Sequence, residues 1–222
     1  MKIENLKVYD LYESLVASGY PMKTETGLMR VVTENDIDRG IKLTKASNGN
    51  GAHAQWLTGV RVNFDLTCTN KMWVEAERYR FFEFVSSQST MHCISKFDIK
   101  TQCNDYVSPV ILAEVERLKQ EYLASNHPED YLRLLYNIPS GFELTARIAT
   151  NYRCLLNIYI QRCQHKLPEW RQFCEYMRTN LPGFADLIAA YQGIEVDNRD
   201  KDEPLEGQVN MFDGDMIWQS KM

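Results

Sequence analysis

Two stretches of the sequence hold side chains whose types and spacing can do chemistry. The first is RYRFFEFVSSQSTMH, Arg78 to His92, where Arg78 and Arg80 stand two apart beside aromatic residues, with Ser86, Ser87, Gln88, Ser89 and Thr90 behind them. A guanidinium is planar and grips phosphate through two parallel donors, so two of them converging at a helix end suit one phosphate. The short hydroxyl and amide groups add donors for an anion or a uracil-like ring. By spacing alone the same residues also read as a solvated, charged helix end followed by a polar loop. The second stretch is NYRCLLNIYIQRCQH, Asn151 to His165. On a helix, Asn151, Leu155, Ile158 and Arg162 share one face, while Arg153 and Asn157 lie nearly opposite. Such a helix fits the interior of an oligomer, serving ligands on two sides, or a partly exposed helix with scattered polar residues.

Other chemistries lack their patterns. The sequence has no GxGxxG after a strand, no GxxxxGK[ST], no GxSxG and no HExxH. His92-Cys93 with Cys103 has no fourth ligand at zinc spacing, so no metal is expected. The 222-residue chain carries 25 basic and 30 acidic side chains, a net charge of −5, which argues against a surface built to attract nucleic acid or anionic membrane. No apolar run approaches the ~20 residues that cross a bilayer. The six cysteines are scattered without a CxxC pair, and the Met-Lys-Ile-Glu start has no leader pattern. A soluble cytoplasmic protein with reduced thiols is expected.

The elements that must position these residues follow from periodicity. KVYDLYESLVASGYPM reads as a short helix ending near Ser18, and DIDRGIKLTKAS, from Asp36, as another, stopped by the NGNG turn at Asn48 to Gly51. Leu57 to Thr67 alternates strictly, with Val60, Val62, Phe64 and Leu66 on one side, which predicts a strand with one buried face. Asn70 to Phe84, free of Gly and Pro, reads as a helix leading into the first cluster, and His92 to Ile99 as a short extended segment. Ser108-Pro109 opens a helix to about Asn126, with Ile111, Val115, Leu118 and Tyr122 on one stripe. Another helical turn starts near Pro128 and carries Arg133. Phe142 to Cys163, Pro168 to Asn180 and Phe184 to Gln192 read as further helices. Beyond Gly193, EVDNRDKDEPLEG is an acidic linker, and the apolar VNMFDGDMIWQSKM is expected to dock on the body or on a neighbouring subunit.

Taken together, the two clusters resemble the flavin-dependent thymidylate synthases. That family carries Arg-His-Arg, seven residues and a serine, and later a helix like Asn-x-Arg-x-Leu-x-x-Phe with an arginine, a nearby histidine and a Trp-containing turn. Here Arg78-Tyr79-Arg80 is followed by Ser89, displaced by one, and Asn151, Arg153, Leu155, Asn157 and Arg162 occur in order before His165 and Trp170. Arg133 and Pro139 resemble the family's Arg-and-Pro segment.

The resemblance implies an α/β (α+β) fold: a single domain over residues 1–193, with a small antiparallel sheet packed by long helices and a helical second half, then the tail 194–222. It implies a homotetramer with sites shared between subunits, FAD as cofactor, and NADPH and methylenetetrahydrofolate as co-substrates for making dTMP from dUMP. By position, Arg78, Tyr79, Arg80, Asn151, Arg153, Asn157 and His165 would hold FAD. Ser89, Arg133 and Arg162 would bind the nucleotide, with Arg162 catalytic, a cation beside a carbonyl oxygen of the pyrimidine. Two departures stand out. Tyr79 replaces the histidine, and Ser89-Thr90-Met91-His92 replaces Ser-x-Arg-Tyr, so Met91 stands where an arginine grips phosphate. This end motivates an alternative reading, another pyrimidine nucleotide or one-carbon product on the same fold. An alternative of another class is a flavin- or nucleotide-binding protein without turnover.

Overall fold

The computed structural model describes residues 1–47 and 51–194. In chain order the strands and α-helices are β1 (Lys2–Tyr9), α1 (Leu11–Ala17), α2 (Glu34–Ala46), β2 (Arg61–Thr69), α3 (Asn70–Ala76), β3 (Glu83–Ser87), α4 (Thr90–Cys93), α5 (Pro109–Ser125), α6 (Pro128–Tyr136), β4 (Glu143–Asn151), α7 (Tyr152–Arg162), α8 (Pro168–Asn180) and α9 (Phe184–Gln192). The fold class is the expected α/β (α+β) arrangement, a small antiparallel sheet with helices and a mainly helical second half. The chain divides into two compact units. The acidic linker and the apolar tail from residue 195 on lie outside the described residues, as do Asn48 to Asn50 of the NGNG turn. Among the described residues, no helix is long and apolar enough to cross a membrane.

One unit comprises residues 1–7, 62–150 and 165–172. Its sheet runs in the order β1-β2-β4-β3, with β3 antiparallel to β4 and Glu83 opposite Ala149. Alternation in β2 puts Val62, Phe64, Leu66 and Cys68 at 0% exposure, as a strand with one apolar face must. On its other side Asp65 accepts from Asn5 at 2.5 Å and from Arg147 at 3.1 Å. A second cluster, Ile94, Ile99, Val115, Leu118, Leu134 and Phe142, is the core under α5 and α6. Pro109 opens α5, and Asn126, in the left-handed region at φ 51°, closes it.

The other unit comprises residues 8–61, 151–164 and 173 onward. There α2 packs against α9, and a 3-10 turn at His53–Thr58 packs against both α2 and α7. Asp36 knits its first part together. Its carboxylate, at 0% exposure, accepts from Arg30 at 2.6 and 2.8 Å, from Arg39 at 2.5 Å and from the Thr33 hydroxyl at 2.8 Å. These donors hold the acid well below the usual carboxylate range, the Arg30 bond first among them.

Several expected boundaries are corrected. The first helix does not begin at Lys7: Lys2–Tyr9 pairs as an edge strand, and α1 starts only at Leu11. The strand expected from Leu57 begins at Arg61, because His53–Thr58 is 3-10. The helix expected over Asn70–Phe84 stops at Ala76. Phe82 and Phe84 pack instead around the sheet, Phe82 edge-on to Phe64 at 6.0 Å and Phe84 against Trp73 at 4.9 Å, an arrangement aromatic residues favour in strands. His92–Ile99 is not extended but completes α4 and a 3-10 turn, with the Cys93 amide donating to the Ser89 carbonyl at 3.0 Å. The largest correction falls on Phe142–Cys163. Its first half is β4, with Ala146 and Ile148 buried, and only Tyr152–Arg162 is helical. Helix formers in ELTARIATN are overridden by the chance to pair with two neighbouring strands.

Candidate functional site

Arg78, Tyr79, Arg80, Ser89, Arg133 and His165 belong to the sheet-containing unit, and Asn151, Arg153, Asn157 and Arg162 to the other.

The Arg78–Arg80 segment is the turn that leaves α3. Its backbone is fixed at both ends, the Tyr79 amide donating to Ala76 and the Phe82 amide to Tyr79, each at 3.0 Å. Arg78 and Arg80 are exposed and form no ion pair with any described residue, and the Arg80 guanidinium lies 5.5 Å from the Phe81 ring. Tyr79 is half-buried, its ring edge-on to Trp170 at 6.0 Å. Trp170, at 0% exposure, donates its indole N–H to Glu75 Oε2 at 3.0 Å, and His165 Nε2 lies 3.6 Å from the same oxygen. Glu169 secures the start of α3, accepting from the Thr69 amide at 2.9 Å and its hydroxyl at 2.7 Å, while Thr69 caps the Met72 amide.

Ser89 precedes α4 at the end of β3. Strand β3 is exposed along its length and bulges between Phe84 and Ser86. Gln88 fastens this end, exchanging backbone and side-chain bonds with Thr145, each at 2.9 Å. Met91 is exposed, and the Tyr131 hydroxyl donates to its carbonyl at 2.5 Å. Tyr131 shares α6 with Arg133, whose guanidinium is largely exposed and 3.5 Å from Asp130. A shallow groove of about 450 Å³ is lined by Glu129, Leu132, Arg133, Tyr136 and Asn137. A larger depression of about 650 Å³, between Lys96–Lys100 and α5, contains none of the expected site residues.

In the other unit Asn151 is buried as the N-cap of α7, its carbonyl oxygen accepting from the Cys154 amide at 2.9 Å. This occupies one acceptor of the side chain in shaping the helix start. Arg153 is half-buried and bonds the Gln55 side chain, and a side chain at Gly51 would collide with its guanidinium. Asn157 is exposed, and Arg162 is half-buried near Cys174. Burial pushes that thiol up to about 12, so it stays protonated and inert as a nucleophile. Along α7, Cys154, Leu155, Leu156 and Ile158 are buried.

Glu75, Gln55 and Tyr131 were not foreseen. Their partners lie 95, 98 and 40 residues away, and no short-range pattern announces a pair at such separations.

No family model matches the sequence, and no curated protein matches it. The fold is nevertheless that of flavin-dependent thymidylate synthase structures. Similar solved structures include flavin-dependent thymidylate synthase ThyX from Helicobacter pylori complexed with FAD and dUMP, with a TM-score of 0.64 over 85% of this chain and 97% of that one, at 16% identity. A second structure of that ThyX with FAD and dUMP gives 0.64 over 86% of this chain and 100% of that one, also at 16% identity. A UMP/dUMP methylase, PolB from Streptomyces cacaoi bound with 5-Br dUMP, gives 0.60 over 87% of this chain and 93% of that one, at 12% identity.

Proposed function

We propose that the chain is a divergent flavin-dependent thymidylate synthase, transferring a one-carbon unit from methylenetetrahydrofolate to C5 of dUMP to give dTMP, with FAD as cofactor and NADPH as reductant. The observation that carries this reading is that the Arg78-Tyr79-Arg80 motif falls in a fixed turn with its guanidinium donors exposed, in a chain whose fold matches ThyX. The donor chemistry fits an anionic dinucleotide. Two guanidinium groups without ion pairs among the described residues suit phosphate, and an aromatic ring between them suits a flat ligand. Arg78, Tyr79, Arg80 and His165, and Asn151, Arg153 and Asn157, would hold FAD in sites shared between the subunits of a cytoplasmic homotetramer. Bound FAD supplies the redox chemistry. Ser89 and Arg133 bind the nucleotide, and Arg162 stabilises negative charge on a pyrimidine carbonyl oxygen as the ring is activated.

A second reading, the same chemistry on another pyrimidine nucleotide or with another one-carbon product, is favoured by Met91. That position offers a thioether and a carbonyl already taken by Tyr131, where a phosphate needs a cation.

The test is flavin absorbance of the purified protein, then tritium release from C5-labelled dUMP with NADPH and methylenetetrahydrofolate. Silence with dUMP but turnover of another nucleotide sinks the first reading in favour of the second. Flavin bound without any turnover points to a binding protein, and no flavin bound even on addition of FAD overturns all of them. Arg153→Ala is expected to lose flavin, whereas Arg162→Ala keeps flavin and loses turnover; the reverse pattern shows the two roles exchanged.

A further inference from the structure

Glu75 is the hub of the turn that follows α3. One carboxylate oxygen, Oε2, takes the Trp170 indole N–H at 3.0 Å and faces His165 Nε2 at 3.6 Å, while Oε1 faces Lys71 at 3.5 Å. The backbone bonds of the turn fix where Tyr79 leaves the chain but not how its ring is rotated. The ring packs against Trp170, which is fully buried and meets it at 68°, a favoured edge-to-face geometry. Helix α3 does not by itself call for a carboxylate here. Its N-terminus is already capped by Thr69, and Lys71, the partner one turn away, is more than half exposed, which makes that pair weak. What the carboxylate does, in addition, is bond the indole that packs against the one aromatic ring standing between Arg78 and Arg80, and face an imidazole at 3.6 Å.

We propose that Glu75 is the positioning residue for Tyr79 and His165, orienting one through Trp170 and the other directly, so that both are set before ligand arrives. The inference rests on the flavin assignment made above. Preset side chains spare the ligand the cost of ordering them, so the loss of Glu75 is read in flavin affinity.

The experiment titrates the full chain with FAD, following flavin fluorescence, and records Tm in parallel. Glu75→Ala is expected to raise the dissociation constant about tenfold or more, the scale of one lost charge-assisted contact. Glu75→Gln keeps an acceptor for the indole and loses the charge facing His165 and the exposed Lys71, so its rise is smaller, about threefold. In a Tyr79→Ala/His165→Ala background the effect of Glu75→Ala should shrink below about twofold, because the groups it positions are gone. A purely structural role lowers Tm but leaves affinity in the folded protein unchanged, or adds in full in the double-variant background; either result overturns the proposal while leaving the flavin assignment standing. If Glu75→Ala does not fold, Glu75→Gln decides, and an unchanged dissociation constant there overturns it. Absence of FAD binding by the unsubstituted chain removes the flavin assignment and this inference together.

Discussion

Two arginine pairs in this chain share the same chemistry and end in opposite conditions. Arg30 and Arg39 close on Asp36, which is fully buried and also takes the Thr33 hydroxyl and amide. Arg78 and Arg80 stand exposed on a fixed turn and pair with no carboxylate among the described residues. In the first case the guanidinium donors are spent inside the protein and the pair is architecture. In the second the turn is rigid while the donors remain available, the arrangement an incoming anion needs. Residue type does not separate the two; the difference is whether a carboxylate is folded in between.

Removing the exposed pair gives the largest expected effect and the sharpest break in the contrast. Arg78→Ala/Arg80→Ala should weaken FAD binding by about 100-fold or more, two charge-assisted contacts being lost, with Tm nearly unchanged; a fall in Tm without loss of affinity would assign both arginines to architecture. Asp36→Asn should do the reverse. Leaving the part-exposed Arg30 and Arg39 around a neutral amide should lower Tm by several degrees, with FAD affinity unchanged in the folded protein.

Acid should expose the same contrast more gently. Asp36 is held below its unfolded value by its donors, so it stabilises the fold fully above the unfolded carboxyl range near ~4, and that contribution is lost as pH falls from there toward the depressed folded value. The unsubstituted chain should therefore lose Tm below about pH 4 more steeply than Asp36→Asn. The smallest effect is expected at Arg117, paired with Glu114 and Glu121 on the exposed face of α5, where Arg117→Ala should leave Tm nearly unchanged.

Local signals served well where local physics decides. The alternation from Val60 to Leu66 marked the buried face of β2, and Ser108-Pro109 marked the start of α5, because side-chain period and proline geometry act within a few residues. The two candidate clusters were legible as residue types, and their family pattern pointed to the fold that the solved structures share. The β4 strand was not legible: Glu143 to Asn151 mixes helix formers with Thr and Ile, and only partners far along the chain make it a strand. The Asp36 clamp was missed for a different reason, since a capping box looks the same whether or not two arginines fold over it.

The bond from Thr69 to Glu169 spans 100 residues, and it sets a schedule as well as a geometry. At ~5–20 residues per second of synthesis, the cap of α3 is made well before the carboxylate that holds it, by roughly 5–20 s. Through that interval the Arg78–Arg80 turn also lacks Trp170, so on a ribosome this turn is among the last parts of its unit to be set.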